Sequence, residues 1–169
     1  MYRVGIGYDI HPLAGDGEER PLVLGGAIFP GERGLAGHSD ADVIVHAVCD
    51  ALLGALALGD LGRHFPDTSP AWKGVSSIRL LERVVDLVMK KGWRAANVDA
   101  TLIAERPKIA PMVDEMRTAI AKAIGSNAGA VSIKATRPEG IGVLGASGGM
   151  ACLAIATVTR SYPPSSGGR

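Results

Sequence analysis

His38-Ser39-Asp40-Ala41-Asp42-Val43-Ile44-Val45-His46 reads as the mouth of a helix. Ser39 has the residue type of an N-cap, and Asp42 follows three residues later in capping-box register. The Ala- and Leu-rich run beyond it favours helix to about Leu58, where Gly59 supplies a stop. Asp42, His46 and Asp50 then fall at i, i+4 and i+8 and form one polar stripe. Upstream, Tyr2 to Tyr8 reads as a strand that delivers Asp9-Ile10-His11. Side chains at i and i+2 on an extended chain share a face, so Asp9 and His11 reach one ion together. The chain has four histidines in 169 residues, and three of them lie in these two segments. A carboxylate and two imidazoles with a fourth position open is the donor set of a catalytic zinc, whereas structural zinc is closed by four ligands. Asp42 or Asp50 is placed to orient the second ring nitrogen of His46. The spacing also fits a strand ending at Asp9, a turn at His11 before Pro12, and a helix histidine satisfied where it sits.

Working outward, Pro21 to Pro30 reads as a small hairpin broken at Gly25-Gly26. Asp60 to Trp72 is a loop. Val75 to Lys91 carries Ile78, Leu81, Val85 and Val88 at helical spacing and stops at Gly92. Val98 to Glu105 is a strand, and Pro111 to Ile124 a helix with proline early and Gly125 after it. Val131 to Ala135 and Met150 to Arg160 are the last strands. Strands alternating with helices define an α/β or α+β chain around one sheet. The last strand is apolar on both faces, so both need cover. In so small a domain a subunit interface is one source of that cover, and a sandwich within the domain is the other.

The length sets one domain over residues 1–160 and leaves 161–169, rich in Pro, Ser and Gly, as a disordered tail. A formal net charge of +1 argues against a nucleic-acid partner. No apolar run is long enough for a membrane helix, and the N-terminus lacks the pattern of a signal peptide, so the expected location is cytoplasmic. Cys49 and Cys152 read as small buried hydrophobes.

Three further segments carry chemistry. Gly59 to Asp67 combines glycines, carboxylates and an aromatic, which suits a polyol or an ordinary loop. Ala104 to Pro111 joins a strand end to a helix start, where backbone groups hold an anion or a base, or where proline shapes a turn. Lys134 to Gly142 presents a cation, a hydroxyl, a guanidinium and a carboxylate; Arg and Thr suit phosphate, and Glu139 suits a hard divalent ion. A solvated loop has the same composition.

The segments GYDIHP, LGG, HSDADVIVHAVCDALLGALALGDLGRHFPDT, NVDATLIAERPKI and KATRPEGIGVLG together resemble the 2-C-methyl-D-erythritol 2,4-cyclodiphosphate synthase family of non-mevalonate isoprenoid (terpenoid) biosynthesis. They occur in the family's order up to about Ser161. The resemblance implies a homotrimer with helices outside, sheets around the threefold axis and active sites between subunits. It implies a lyase that converts 4-diphosphocytidyl-2-C-methyl-D-erythritol 2-phosphate to the cyclic diphosphate and CMP. It assigns Zn2+ to Asp9, His11 and His46, and a second ion, Mg2+ or Mn2+, to Glu139 with the substrate diphosphate. His38 and Ser39 match the substrate-binding, transition-state-stabilising pair. Asp60, Gly62, Phe65 and Asp67 match the methylerythritol and ribose contacts. Ala104, Pro107, Lys108 and Ile109 match the cytidine pocket, and Ala135 and Thr136 lie beside the phosphates. Arg137 stands where the family commonly has a threonine that stabilises the transition state. Gly145 to Gly149 lacks the arginine and glutamate with which many relatives furnish the central cavity. The alternative in a different class is a non-catalytic trimeric carrier of isoprenoid diphosphates. A zinc hydrolase is a third reading, and the chain has no HExxH segment to serve it.

Overall fold

The computed structural model describes residues 1–161, and the expected tail lies, past Ser161, outside the described residues. Strands β1 (Tyr2–Pro12), β4 (Trp93–Ile103), β5 (Val131–Thr136) and β6 (Gly149–Arg160) form one sheet in the order β1-β6-β4-β5. β6 is antiparallel to both β1 and β4, and β5 runs parallel to β4. A separate hairpin pairs β2 (Pro21–Leu24) with β3 (Ala27–Arg33) across Gly25-Gly26. Helix α1 (Val43–Ala55) lies across β1 and β6, α3 (Ser77–Lys90) against β4, and α4 (Val113–Ala123) against β5. Two single-turn helices, α2 (Leu61–His64) and α5 (Gly142–Gly145), sit in the loops. Among the described residues no helix is long and apolar enough to cross a membrane.

The core is the seam between α1 and the sheet, and small residues set its thickness. Gly5 and Gly7 point from β1 at the helix. A Cβ on Gly5 would run into the Ala51 carbonyl and the Ala55 nitrogen, and one on Gly7 into the Ala47 carbonyl and the Ala51 nitrogen. The strand therefore lies directly on the helix backbone. On the same sheet face Cys152, Ala154, Ala156 and Val158 of β6 are fully buried. Among the described residues nothing covers the opposite face: Val4, Ile6, Tyr8 and Ile10 of β1 and Leu153 and Ile155 of β6 are exposed. A sandwich within the domain, one of the two covers considered for β6, is absent among the described residues.

Both ends of α1 differ from the sequence reading. Its N-cap is Asp42, not Ser39; the Asp42 carboxylate accepts from the backbone N–H groups of Ile44 and Val45. Ser39 is drawn away because its hydroxyl faces His46. At the other end Ala57 takes a left-handed conformation (φ 55°). The Ala57 N–H then donates to Gly54 and the Leu58 N–H to Leu53, a Schellman closure before Gly59 is reached. Alanine is an unusual residue there, which is why the sequence pointed to the glycine instead.

Gly7→Ala is expected to destabilise the metal-free protein by about 1–3 kcal/mol, the range for overpacking a tight seam. Urea unfolding at matched protein concentration checks this; a wild-type midpoint would mean that α1 moves away from β1 at no cost.

Candidate active site

Because β1 stays extended through Pro12, Asp9 and His11 share the face of Gly5 and Gly7 and point toward α1. One helical turn into α1, His46 meets them. His11 Nε2 lies 2.9 Å from Asp9 Oδ2. His46 Nδ1 lies 3.0 Å from the same oxygen and 3.1 Å from His11 Nε2. Each imidazole has its other nitrogen engaged: His11 Nδ1–H donates to the Ala36 carbonyl at 2.9 Å, and His46 Nε2 is 2.9 Å from Ser77 Oγ. The three atoms facing one another are thus two imidazole lone pairs and a carboxylate oxygen, all acceptors. Only a cation or an extra proton reconciles them. The edges of the triangle approach the roughly 3.3 Å ligand spacing that a tetrahedral ion about 2 Å from each donor requires. The donor set therefore fits a divalent metal, with Asp9, His11 and His46 partly to fully buried around it.

Burial alone would raise the Asp9 carboxyl, but its contacts with His11 and His46, which favour the charged carboxylate when an imidazole is protonated toward it, outweigh burial and hold Asp9 well below the usual carboxylate range. Burial likewise pulls His11 down, and the hydrogen bond and charge of Asp9 outweigh it and raise His11 above its ordinary value.

The triad opens on a cleft of about 690 Å³. Among the predicted residues, His38, Ser39, Asp60, Gly62, Phe65 and Asp67 line it with the three ligands. His38 donates through Nε2 to the Ser69 carbonyl at 3.0 Å. Asp60 caps α2 by accepting from the Arg63 N–H at 2.8 Å. Phe65 stands edge-on to Trp72, with ring centroids 5.0 Å apart.

The remaining predicted residues do not line this cleft. Ala104, Pro107, Lys108 and Ile109 follow the C-terminal end of β4; Ala135 and Thr136 end β5, and Arg137 and Glu139 follow them. Ala104 and Ile109 are buried, whereas Lys108, Ala135, Thr136, Arg137 and Glu139 are exposed. The two loops are tied by the Gly140 N–H, which donates to Glu105 at 2.8 Å. Glu139 itself sits at a left-handed φ of 53°.

The stripe on α1 does not act as a unit. Asp42 is consumed by α1 and by the hairpin turn, accepting also from the Gly25 and Gly26 N–H groups at 2.9 and 2.6 Å. Asp50 accepts from the Leu61 N–H at 2.7 Å. Its carboxyl is raised by burial, with the charges of Asp60 and Asp9 adding to the rise. Neither orients His46. The groups beside His46 Nε2 are the Ser39 and Ser77 hydroxyls, and Ser77 gave no sequence signal because it stands 31 residues away at the start of another helix. Arg20 was also missed; its guanidinium donates to the Gly37 and Ser39 carbonyls and holds the His38 loop against β2.

Four carboxylates line the cleft, from Asp9, Asp50, Asp60 and Asp67, and no Lys or Arg is among the described residues that line it. A mixed sheet that brings together three donors able to hold a divalent ion, at the floor of a polar cleft, has the build of an enzyme site. A family model described as the YgbB family matches residues 2–159, and the chain belongs to that family. It is 58% identical over 156 residues to a protein of Salinibacter ruber, covering 92% of this chain and 98% of the relative. It is 51% identical over 153 residues to one of Trichlorobacter lovleyi, covering 90% and 96%. Both are named 2-C-methyl-D-erythritol 2,4-cyclodiphosphate synthase. Among solved structures, the bifunctional IspDF of Campylobacter jejuni superposes with a TM-score of 0.89 at 35% identity, over 95% of this chain and 42% of that one. IspF of Plasmodium falciparum in a CDP complex gives 0.82 at 31% identity, over 95% and 97%.

A metal entering the triad must displace any proton carried by the His11 nitrogen that faces Asp9. His11 is raised, so apparent affinity is expected to stay level at alkaline pH. As pH is lowered it should begin to fall at a pH above the ordinary imidazole value, and then weaken about tenfold per pH unit for that proton. Zinc competition titrations from pH 5.5 to 8.5 check this. Asp9→Asn should lower the titration of the His11 imidazole, followed by NMR of the metal-free protein; a titration that does not move would detach His11 from Asp9.

Proposed function

We propose that the chain converts 4-diphosphocytidyl-2-C-methyl-D-erythritol 2-phosphate to 2-C-methyl-D-erythritol 2,4-cyclodiphosphate and CMP. The carrying observation is the convergence of Asp9, His11 and His46 beside a polar cleft in a chain of this family. The reaction is an intramolecular phosphoryl transfer: an oxygen of the 2-phosphate attacks the β-phosphorus, the bond to the α-phosphate breaks, and CMP departs without any water being consumed. Such a transfer needs alignment and charge neutralisation rather than covalent help.

On this reading Asp9, His11 and His46 hold zinc, and Glu139 helps hold Mg2+ or Mn2+ against the diphosphate. Bound divalent ions would supply charge neutralisation and orient the phosphates. His38 and Ser39 bind at the reacting phosphates. Asp60, Gly62, Phe65 and Asp67 receive the polyol and ribose; Ala104, Pro107, Lys108 and Ile109 receive cytosine; Ala135, Thr136 and Arg137 meet the phosphates. Arg137 brings a full positive charge to a position where a hydroxyl is common, which suits a phosphate partner.

Two features support assembly as a homotrimer with sites between copies. The bare sheet face pairs Ile6 with Ile155 and Tyr8 with Leu153 in one apolar strip, of the kind that marks an interface. Among the described residues the cleft also lacks the cations that a triphosphorylated ligand needs, whereas Lys108 and Arg137 are exposed on loops outside it. A neighbouring copy is the natural source of those loops. A cytoplasmic location fits this chemistry. The carrier reading has no such support, because Gly145 to Gly149 offers no cation to an isoprenoid diphosphate.

Phosphorus NMR of the protein with the diphosphocytidyl substrate, zinc and magnesium tests the reading. Resonances of CMP and a cyclic diphosphate are expected. A metal-loaded protein that leaves the substrate intact would move the carrier reading forward. His46→Ala should abolish zinc uptake and nearly all turnover while the assembly, measured by light scattering, persists. Glu139→Ala is expected to raise the magnesium concentration needed for half-maximal rate and leave zinc affinity unchanged; an unaltered magnesium titration removes Glu139 from that role.

A further inference from the structure

We propose that Ser77, backed by Asp40, is a positioning residue that fixes which ring nitrogen His46 turns toward the metal. The inference rests on the reading of Asp9, His11 and His46 as metal ligands.

His46 Nε2 lies 2.9 Å from Ser77 Oγ. A hydroxyl beside an imidazole nitrogen is ambiguous, because either group can be the donor. Asp40 removes the ambiguity. Its Oδ1 takes a hydrogen bond from Ser77 Oγ, and its Oδ2 takes the Ser77 backbone N–H at 2.9 Å. A carboxylate only accepts, so the Ser77 hydroxyl hydrogen is committed to Asp40 and the Ser77 oxygen is left as an acceptor. His46 must then carry its hydrogen on Nε2, which leaves the Nδ1 lone pair facing Asp9 and His11. Ser77 is fully buried and His46 is buried, so the contact between them is shielded from water, while Asp40 stands half-buried behind it.

The same hydrogen bonds define Ser39. Its Oγ stands 3.1 Å from His46 Nε2 and accepts from the Ala41 N–H at 3.2 Å. The nearest acceptor for its own hydrogen is Ser77 Oγ at 3.4 Å, a marginal bond to an oxygen that already receives His46. Ser77 and Asp40 also bind the start of α3, whose N-cap residue Ser76 makes no side-chain capping bond. The helix is thereby anchored to the metal site rather than to its own cap.

The test compares wild type, Ser77→Ala and Asp40→Asn as purified full chains. Zinc affinity is measured by competition with a chelator, and the His46 tautomer by long-range nitrogen–proton NMR of the metal-free, histidine-labelled protein. Wild type should show the Nε2–H tautomer. Ser77→Ala should weaken zinc binding by about 10- to 100-fold and mix the His46 tautomers, which a residue that only packs would not do. Wild-type zinc affinity with the Nε2–H tautomer retained in Ser77→Ala overturns the proposal. If Ser77→Ala does not fold, Asp40→Asn carries the test, with a smaller weakening and the same mixing expected; no change in either readout overturns it. A wild-type chain that binds no zinc overturns the ligand reading and this role together, whereas zinc-binding wild type matched by the variants overturns this role alone.

Discussion

The contact of β1 with the backbone of α1 is the constraint on which the rest depends. Strand and helix run in opposite directions, and their repeats nearly match. Two strand residues advance about 6.7 Å and four helix residues about 6 Å. Gly5 therefore meets Ala51 and Ala55, and Gly7 meets Ala47 and Ala51. The next step along β1 brings Asp9 against the turn that carries His46. The metal triad is the polar continuation of a packing ladder whose lower rungs are glycine and alanine. Larger residues on those rungs would move the strand outward and open the donor triangle even if all three donors remained.

The ladder sets distance, and hydrogen bonds set chemistry. Three acceptor atoms about 3 Å apart repel unless something positive lies between them. Folding alone does not bring such atoms together without cost, since buried acceptors want partners. The surrounding bonds hold them there: Ala36 fixes His11, Ser77 and Ser39 meet His46, and Arg20 clamps the backbone that carries Ser39. In the free protein a proton on His11 can take the place of the cation: it pairs with the Asp9 carboxylate, and the lowered Asp9 and the raised His11 express that favourable pairing.

Local periodicity made much of this legible. The face shared by Asp9 and His11 follows from strand alternation, and the placing of His46 needs only a helix near residue 46. The strands and the three long helices were readable for the same reason, with boundaries displaced by a few residues. What escaped the sequence depends on contacts between distant segments. Ser39 looked like a cap because caps are local; it was drawn instead toward a histidine, and Asp42 took its place while also closing the hairpin at Gly25-Gly26. Ser77 and Asp40 are 37 residues apart and had no shared pattern to reveal them. The loops after β4 and β5 were picked out by composition, but nothing in composition says that they stand away from the cleft.

That separation and the bare sheet face are two deficits of a single chain with different physical origins. One is hydrophobic: large apolar side chains of β1 and β6 lie in water on the side away from α1. The other is electrostatic: a cleft lined by four carboxylates has no cation of its own among the described residues. In the proposed assembly one act of association answers both, since β1 carries exposed apolar residues on one face and metal donors on the other. Alternation along a single strand thus couples interface to site. A change at Ile6 or Tyr8 acts on the same backbone that holds Asp9 and His11, so loosening the interface would also disturb the donors. A disturbed interface would thus reach the donors through one strand, whereas loss of a donor from α1 leaves the apolar strip of the sheet in place.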